Sequence, residues 1–288
     1  GPSDPNPFGA AFTKKHGYVF EVPAQGTASG QPLTDMGRFK HEASMTDPRN
    51  RITYLTEDNS QSGLYMFIAH DSNNYAAGGR LYMLAVKGQA NFDFSGALDP
   101  AAFPLDVEWV RIQEPDPDLE GGAESCHEQG LGRGGGTFRR LEGCLWGGDI
   151  GYFVSTTGGG AGQGQVFGYQ PDPFTPFRGE LHLLVESSGA AVMNQPDSLV
   201  GTPGGGLLTF EDGAEPQRVL GVSLAGDVFP FLENNVVLNG ERNGIFGDYR
   251  SSETTGGCFS PDGATLFFNV QSPGITIAVT GDWSAGCL

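Results

Sequence analysis

Four short stretches of this 288-residue chain stand out as carboxylates at expected strand ends: His41-Glu42, Glu57-Asp58-Asn59, Arg140-Leu141-Glu142-Gly143 and Glu211-Asp212-Gly213. Hard divalent cations take several oxygen ligands, and carboxylates converging from separate loops supply them. Ferric iron accepts the same donors. Glycine beside such a carboxylate lets the backbone approach an ion closely. Arg140 and Glu142 stand two positions apart, so on an extended strand their side chains share a face. An arginine next to a metal-bound carboxylate suits bidentate capture of phosphate. A cross-strand salt bridge uses the same spacing, and by pattern alone it is the commoner use. Most of the acidic residues are simply solvated surface.

Other chemistries lack their residues. The chain has no G-x-S-x-G elbow and no P-loop lysine motif. Its five histidines, His16, His41, His70, His127 and His182, form no H-x-x-x-H pair, which weakens a zinc-hydrolase reading. Cys126-His127 reads as a loop dipeptide. The four cysteines, Cys126, Cys144, Cys258 and Cys287, include no CxxC pair, and their spacing leaves disulfides and free thiols equally open.

Positioning such carboxylates requires a scaffold, and composition narrows it. Gly and Pro, at 46 and 19 residues, reach about twice their usual share, yet 38% of residues are hydrophobic and 11% aromatic. The apolar residues come in short runs separated by turn signals, the pattern of an all-β domain. A helical bundle is excluded in practice, since glycine costs ~1 kcal/mol at a helical position. The net charge of −18 argues against nucleic acid and anionic membrane surfaces as partners. No apolar run is long enough to span a bilayer.

Residues 1–16 read as an irregular N-terminal segment whose Gly1-Pro2-Ser3 looks like the scar of a cleaved tag. Residues 17–288 read as a single β-propeller domain or the major part of one. Strands are expected at 17–22, 51–56, 63–68, 80–86 and 107–112, then as a hairpin over 144–156. Further strands are expected at 165–169, 180–186, 206–210, 219–224, 228–232, 265–270 and 275–280. Residues 114–136 read as a long loop, and no helix is expected. About sixteen strands at four per unit make about four blades. Ser260-Pro261-Asp262-Gly263 before an aromatic strand fits a blade hairpin, although an ordinary hairpin fits it too.

Longer motifs sharpen this. Gly37-Arg38-Phe39-Lys40-His41-Glu42-Ala43, Tyr54-Leu55-Thr56-Glu57-Asp58-Asn59, Arg140-Leu141-Glu142-Gly143 and Gln195-Pro196-Asp197-Ser198 occur in that order. They are followed by Gly205 through Gly213, Glu253 through Gly263, and Asn269-Val270-Gln271-Ser272-Pro273-Gly274. Together they resemble the PhoX-type alkaline phosphatases, in collinear order over nearly the whole chain.

The resemblance implies an exported β-propeller phosphatase, periplasmic or secreted, that depends on Ca2+ and Fe3+ and acts on small phosphoesters. It assigns Glu42, Glu142, Glu211 and Asp212 as metal ligands and Arg140 as the residue facing the substrate phosphate. Glu57, Asp58, Asp197 and Glu253 sit in family motifs, either at the metals or in structural roles. In that family bound metals polarise the phosphoryl group while the arginine neutralises developing charge.

Two departures stand out. Family members carry a Thr-Cys-Glu-Glu-like segment whose cysteine binds iron, and this chain has none. Their propeller has about six blades. The expectation is therefore a portion of a longer chain or a natural short form, with an N-terminal segment or a second copy completing the propeller. The alternatives to a phosphatase are a non-catalytic calcium-binding propeller module and a lactonase- or phytase-like propeller.

Overall fold

The computed structural model describes residues 14–214, 216–281 and 283. Among them lie eighteen strands, one short α-helix and four single-turn 3-10 segments, so the chain is all-β as its composition implies. The tag-like Gly1-Pro2-Ser3 and Cys287 lie outside the described residues. No helix among the described residues is long and apolar enough to cross a membrane.

Two compact units divide the chain. The first contains residues up to Asp93, Leu105–Leu141 and Pro171–Glu180. Within it β1 (His41–Thr46), β2 (Thr53–Glu57), β3 (Leu64–Ala69), β4 (Gly79–Val86) and β5 (Leu105–Arg111) run antiparallel, each beside the next. Leu55, Tyr65, Phe67, Leu81 and Met83 of these strands bury a core with Phe39, Ile112 and Cys126. β2 is buried along its whole length, its Thr53, Thr56 and Glu57 included, whereas β5 alternates buried apolar residues with exposed Asp106 and Glu108.

The second unit contains Phe94–Pro104, Glu142–Gln170 and the residues from Leu181 onward. β6 (Leu141–Gly147), β7 (Ile150–Ser155), β8 (Gln165–Pro171) and β9 (Arg178–Glu186) follow one another as neighbours. The next four, β10 (Pro196–Gly201), β11 (Leu207–Glu211), β12 (Arg218–Val222) and β13 (Val228–Glu233), form an antiparallel meander. β14 (Val237–Arg242) and β15 (Ile245–Asp248) make a hairpin. β16 (Thr254–Phe259), β17 (Thr265–Val270) and β18 (Ile275–Thr280) complete the set. Consecutive up-and-down meanders of this size are the blade units of a β-propeller.

Three sequence expectations change. Residues 17–22 form no strand; only an isolated bridge joins Phe20 to Pro32. Gly17 has φ +94° and its carbonyl accepts from Phe39 N, which directs this segment to the chain rather than to a sheet partner. Residues 114–136 contain a helix, α1 (Cys126–Leu131), started by a capping box in which Ser125 and Glu128 bond each other's backbone N–H. The same segment is anchored by the buried Arg38, whose guanidinium donates to Pro117 O and pairs with Glu120.

Third, strands β1, β10, β14, β15 and β16 are additional to those expected. β1 and β10 are built from His, Glu, Ser, Pro and Asp, residues of weak strand preference. They become strands because β2 and β11 offer paired edges. These two weak strands carry Glu42 and Asp197.

Candidate metal centre

β10 enters its meander with a flaw. Pro196 pairs with Glu211 and Ser198 with Phe210, so Asp197 is one residue too many against its partner strand. Such a bulge re-aims the side chain it contains. Gln195, just before it, sits at φ +58°, and its carbonyl accepts from Asp212 N at 2.9 Å. Asp197 is thereby turned toward Asp212, where β11 ends.

Glu253 arrives from a third element, at the entrance to β16. Its backbone carbonyl accepts from Gln271 N at 2.9 Å, and its carboxylate accepts from Gln271 Nε2 at 2.6 Å. Asp197, Asp212 and Glu253 each present an oxygen within 4.8 Å of the other two. Glu142, buried on β6, likewise comes within 4.8 Å of Asp197. Asp212, Glu253 and Glu142 of the second unit thus each approach Asp197.

Close strand approach makes this work. A Cβ added at Gly143 would meet Asp197 O at 2.5 Å and Ser198 Cα at 2.7 Å, so only glycine lets β6 lie this near β10. Two carboxylates at this separation repel by about 3 kcal/mol at an effective dielectric near 20. Oxygens bound to one calcium at 2.3–2.6 Å lie at most about 5 Å apart, so the observed spacing fits a shared hard cation. The donor set, all oxygen, fits it as well.

Glu211 lies next to Asp212 but faces elsewhere, as strand neighbours do. Its buried carboxylate accepts Arg218 Nε and Nη2 at 2.7 Å each and Asn194 N at 2.6 Å. Burial pushes its pKa up while Arg218 opposes the rise. Glu211 is a salt-bridged core acid and does not join the group around Asp197. The hairpin itself signals this partner: Phe210 pairs with Val219, and one step further Glu211 stands opposite Arg218.

In the first unit, Glu57 ends β2 fully buried. Its Oε2 accepts from Tyr65 OH at 2.7 Å and Gly63 N at 3.0 Å, and desolvation pushes its pKa up to about 7. Asp58 pairs with Arg140, Oδ1 to Nε at 2.9 Å, with both side chains about a third exposed. Arg140 is not on an extended strand. It has φ +51° and precedes β6, so alternation along a strand does not relate its side chain to that of Glu142. The salt-bridge use of the Arg140 spacing is realised, with Asp58 as partner. Glu42 is an exposed residue of β1.

Cys126 is a buried core thiol of the first unit. The Cys126 thiol donates to Pro115 O at 3.4 Å, and burial pushes its pKa up to about 12. His127, its neighbour on α1, bonds Thr137 Oγ1 through Nε2 at 3.1 Å.

Comparison with known proteins bears on fold and family. No curated protein matches the chain. The solved structure of Pseudomonas fluorescens PhoX in complex with vanadate, a transition state analogue, superposes with a TM-score of 0.68 at 20% identity. The superposition covers 92% of this chain and 57% of that one, so the chain spans little more than half the length of that phosphatase. The family model for alkaline phosphatase PhoX matches residues 3–274. The family model covers most of the chain, and the chain belongs to the PhoX alkaline phosphatase family.

Proposed function

We propose that this protein is a metal-dependent phosphomonoesterase of the alkaline phosphatase type, exported to the periplasm or beyond. The convergence of Asp197, Asp212 and Glu253, with Glu142 beside Asp197, carries the reading, because an all-oxygen carboxylate set is what a hard cation takes. These residues would hold the metal, with calcium the ion their oxygen donors suit best. Glu42 is assigned as a further ligand, and Fe3+ as a second metal, on the family motifs alone. A bound ion supplies Lewis acidity toward phosphoryl oxygens.

The protein's own groups do the rest. Arg140 is assigned to the phosphate: its planar fork matches two phosphate oxygens, and Asp58 fixes the orientation of that fork from the Nε side. Glu211 contributes indirectly. By binding Arg218 and Asn194 N it locks the end of β11, from which Asp212 projects. Preorganisation of this kind avoids reorganising charge at the moment of reaction.

Hydrolysis of p-nitrophenyl phosphate with calcium and iron supplied, alongside elemental analysis of protein purified without chelator, tests the reading. Turnover with both metals bound supports it. Calcium without turnover would instead support a non-catalytic calcium-binding module. Turnover of lactones or inositol phosphates in place of simple phosphomonoesters would point to the third alternative.

A further inference from the structure

Asp212 and Glu253 line one cavity of about 380 Å³, together with Asp248, Tyr249, Ser252 and Gln217. Gln217 is the unusual member. It is only 2% exposed, and its amide is split in use. The Nε2 donates to Gly213 O, next to Asp212, while Oε1 has no hydrogen-bond partner. A buried acceptor left unpaired costs about 1–3 kcal/mol, so folded proteins rarely keep one without a use. The amide is not free to turn over and cure this, because Gly213 O requires the NH2 side.

The backbone around Gln217 is equally committed. Its carbonyl accepts from Asn234 N at 2.8 Å, and the next residue, Arg218, is held by Glu211. The side chain is therefore a fixed part of the cavity wall. A neutral carbonyl oxygen on a residue lining the same cavity as two carboxylates gives the mixed donor set that calcium takes, and it avoids the repulsion a third acid would add.

We propose that Gln217 Oε1 is a direct ligand of a calcium-class cation held by Asp212 and Glu253. This inference rests on the metal reading of that cluster and adds to it a neutral ligand. A harder, smaller ion such as Mg2+ retains its own waters and gains less from a single amide oxygen. Gln217 thus selects calcium over magnesium.

Terbium luminescence of the intact protein tests this without reference to activity. Lifetimes in H2O and D2O count the waters on Tb3+, and calcium competition gives affinity. Gln217→Met keeps the side-chain length and removes the oxygen. Expected are about tenfold weaker calcium binding, one additional water on Tb3+, and a smaller calcium-over-magnesium preference. Gln217→Glu, which restores an oxygen, is expected to recover binding; it also serves if the Met variant fails to fold. Unchanged affinity and hydration in the Met variant, or weaker binding in the Glu variant, would overturn the assignment while leaving the carboxylate cluster standing. Failure of the wild-type protein to bind Tb3+ or calcium at all would overturn the cluster reading first.

Discussion

Gly143 lies directly against the backbone of Asp197, with room for no side chain between them: a Cβ would sit 2.5 Å from Asp197 O. This contact brings the buried Glu142 of β6 to the bulged acid of β10. Gly143→Ala is therefore expected to push the two strands apart. Overpacking of this sort costs about 1–3 kcal/mol, read from denaturant midpoints. Calcium affinity should fall with it. Retained affinity with lowered stability would separate packing from metal binding and contradict the role assigned to the contact.

The clustered acids predict a strong calcium effect on stability. At a calcium concentration about 100 times Kd, a single site that binds only the folded state adds about 2.7 kcal/mol. Thermal melts with added calcium and after EDTA should differ accordingly. Asp197→Asn, which removes the central charge, should raise the stability of metal-free protein and shrink the calcium response. Melts insensitive to calcium would remove the basis for the site.

Arg218 and Glu211 form the opposite kind of pair, acid and base buried together at the mouth of a hairpin. Arg218→Ala leaves the Glu211 carboxylate uncompensated and should cost about 3–5 kcal/mol. Glu211→Gln keeps an acceptor for Asn194 N and Arg218, so a smaller loss is expected. Comparable losses from the two variants would mean that packing, and not charge, dominates this corner.

Glu57 gives a pH dependence with a definite sign. Its carboxyl titrates near 4.5 when unfolded and near 7 in the folded protein, where burial holds the proton. The folded state binds the proton more tightly between those values. Stability from this group is thus fully present below about pH 4.5 and is lost as pH rises through about 7. Glu57→Gln preserves an oxygen for Tyr65 OH and Gly63 N. Above pH 7 the variant should exceed the parent by up to about 3 kcal/mol, and near pH 4.5 the two should converge. A pH-independent difference would show that Glu57 does not titrate in this range.

Arg140 and Asp58 separate positioning from charge. Arg140→Lys keeps the cation and loses the fork, and phosphomonoester turnover should drop by roughly 10²–10³ with metal content unchanged. Asp58→Asn should lower turnover less, through a looser Arg140. Loss of bound metal in either variant would place these residues at the ions instead.

The sequence alone was enough to establish the all-β class, through glycine-punctuated apolar runs, and to single out the acid-bearing motifs by their family spacing. It located β2 to β5 and β6 to β9 within a few residues, because those strands bury apolar residues whose pattern is local. It did not reveal β1 or β10, which hold several residues of weak strand preference and become strands by pairing with the strand that follows each of them. Among acids, Glu211 and Asp212 are indistinguishable as a string. The pairing of β11 with β12 hands one to Arg218, and the bulge at Asp197 draws the other to the cluster. Carboxylate identity is written in the chain. Which carboxylates meet depends on register, a bulge and one glycine contact, and these exist only once the strands are packed.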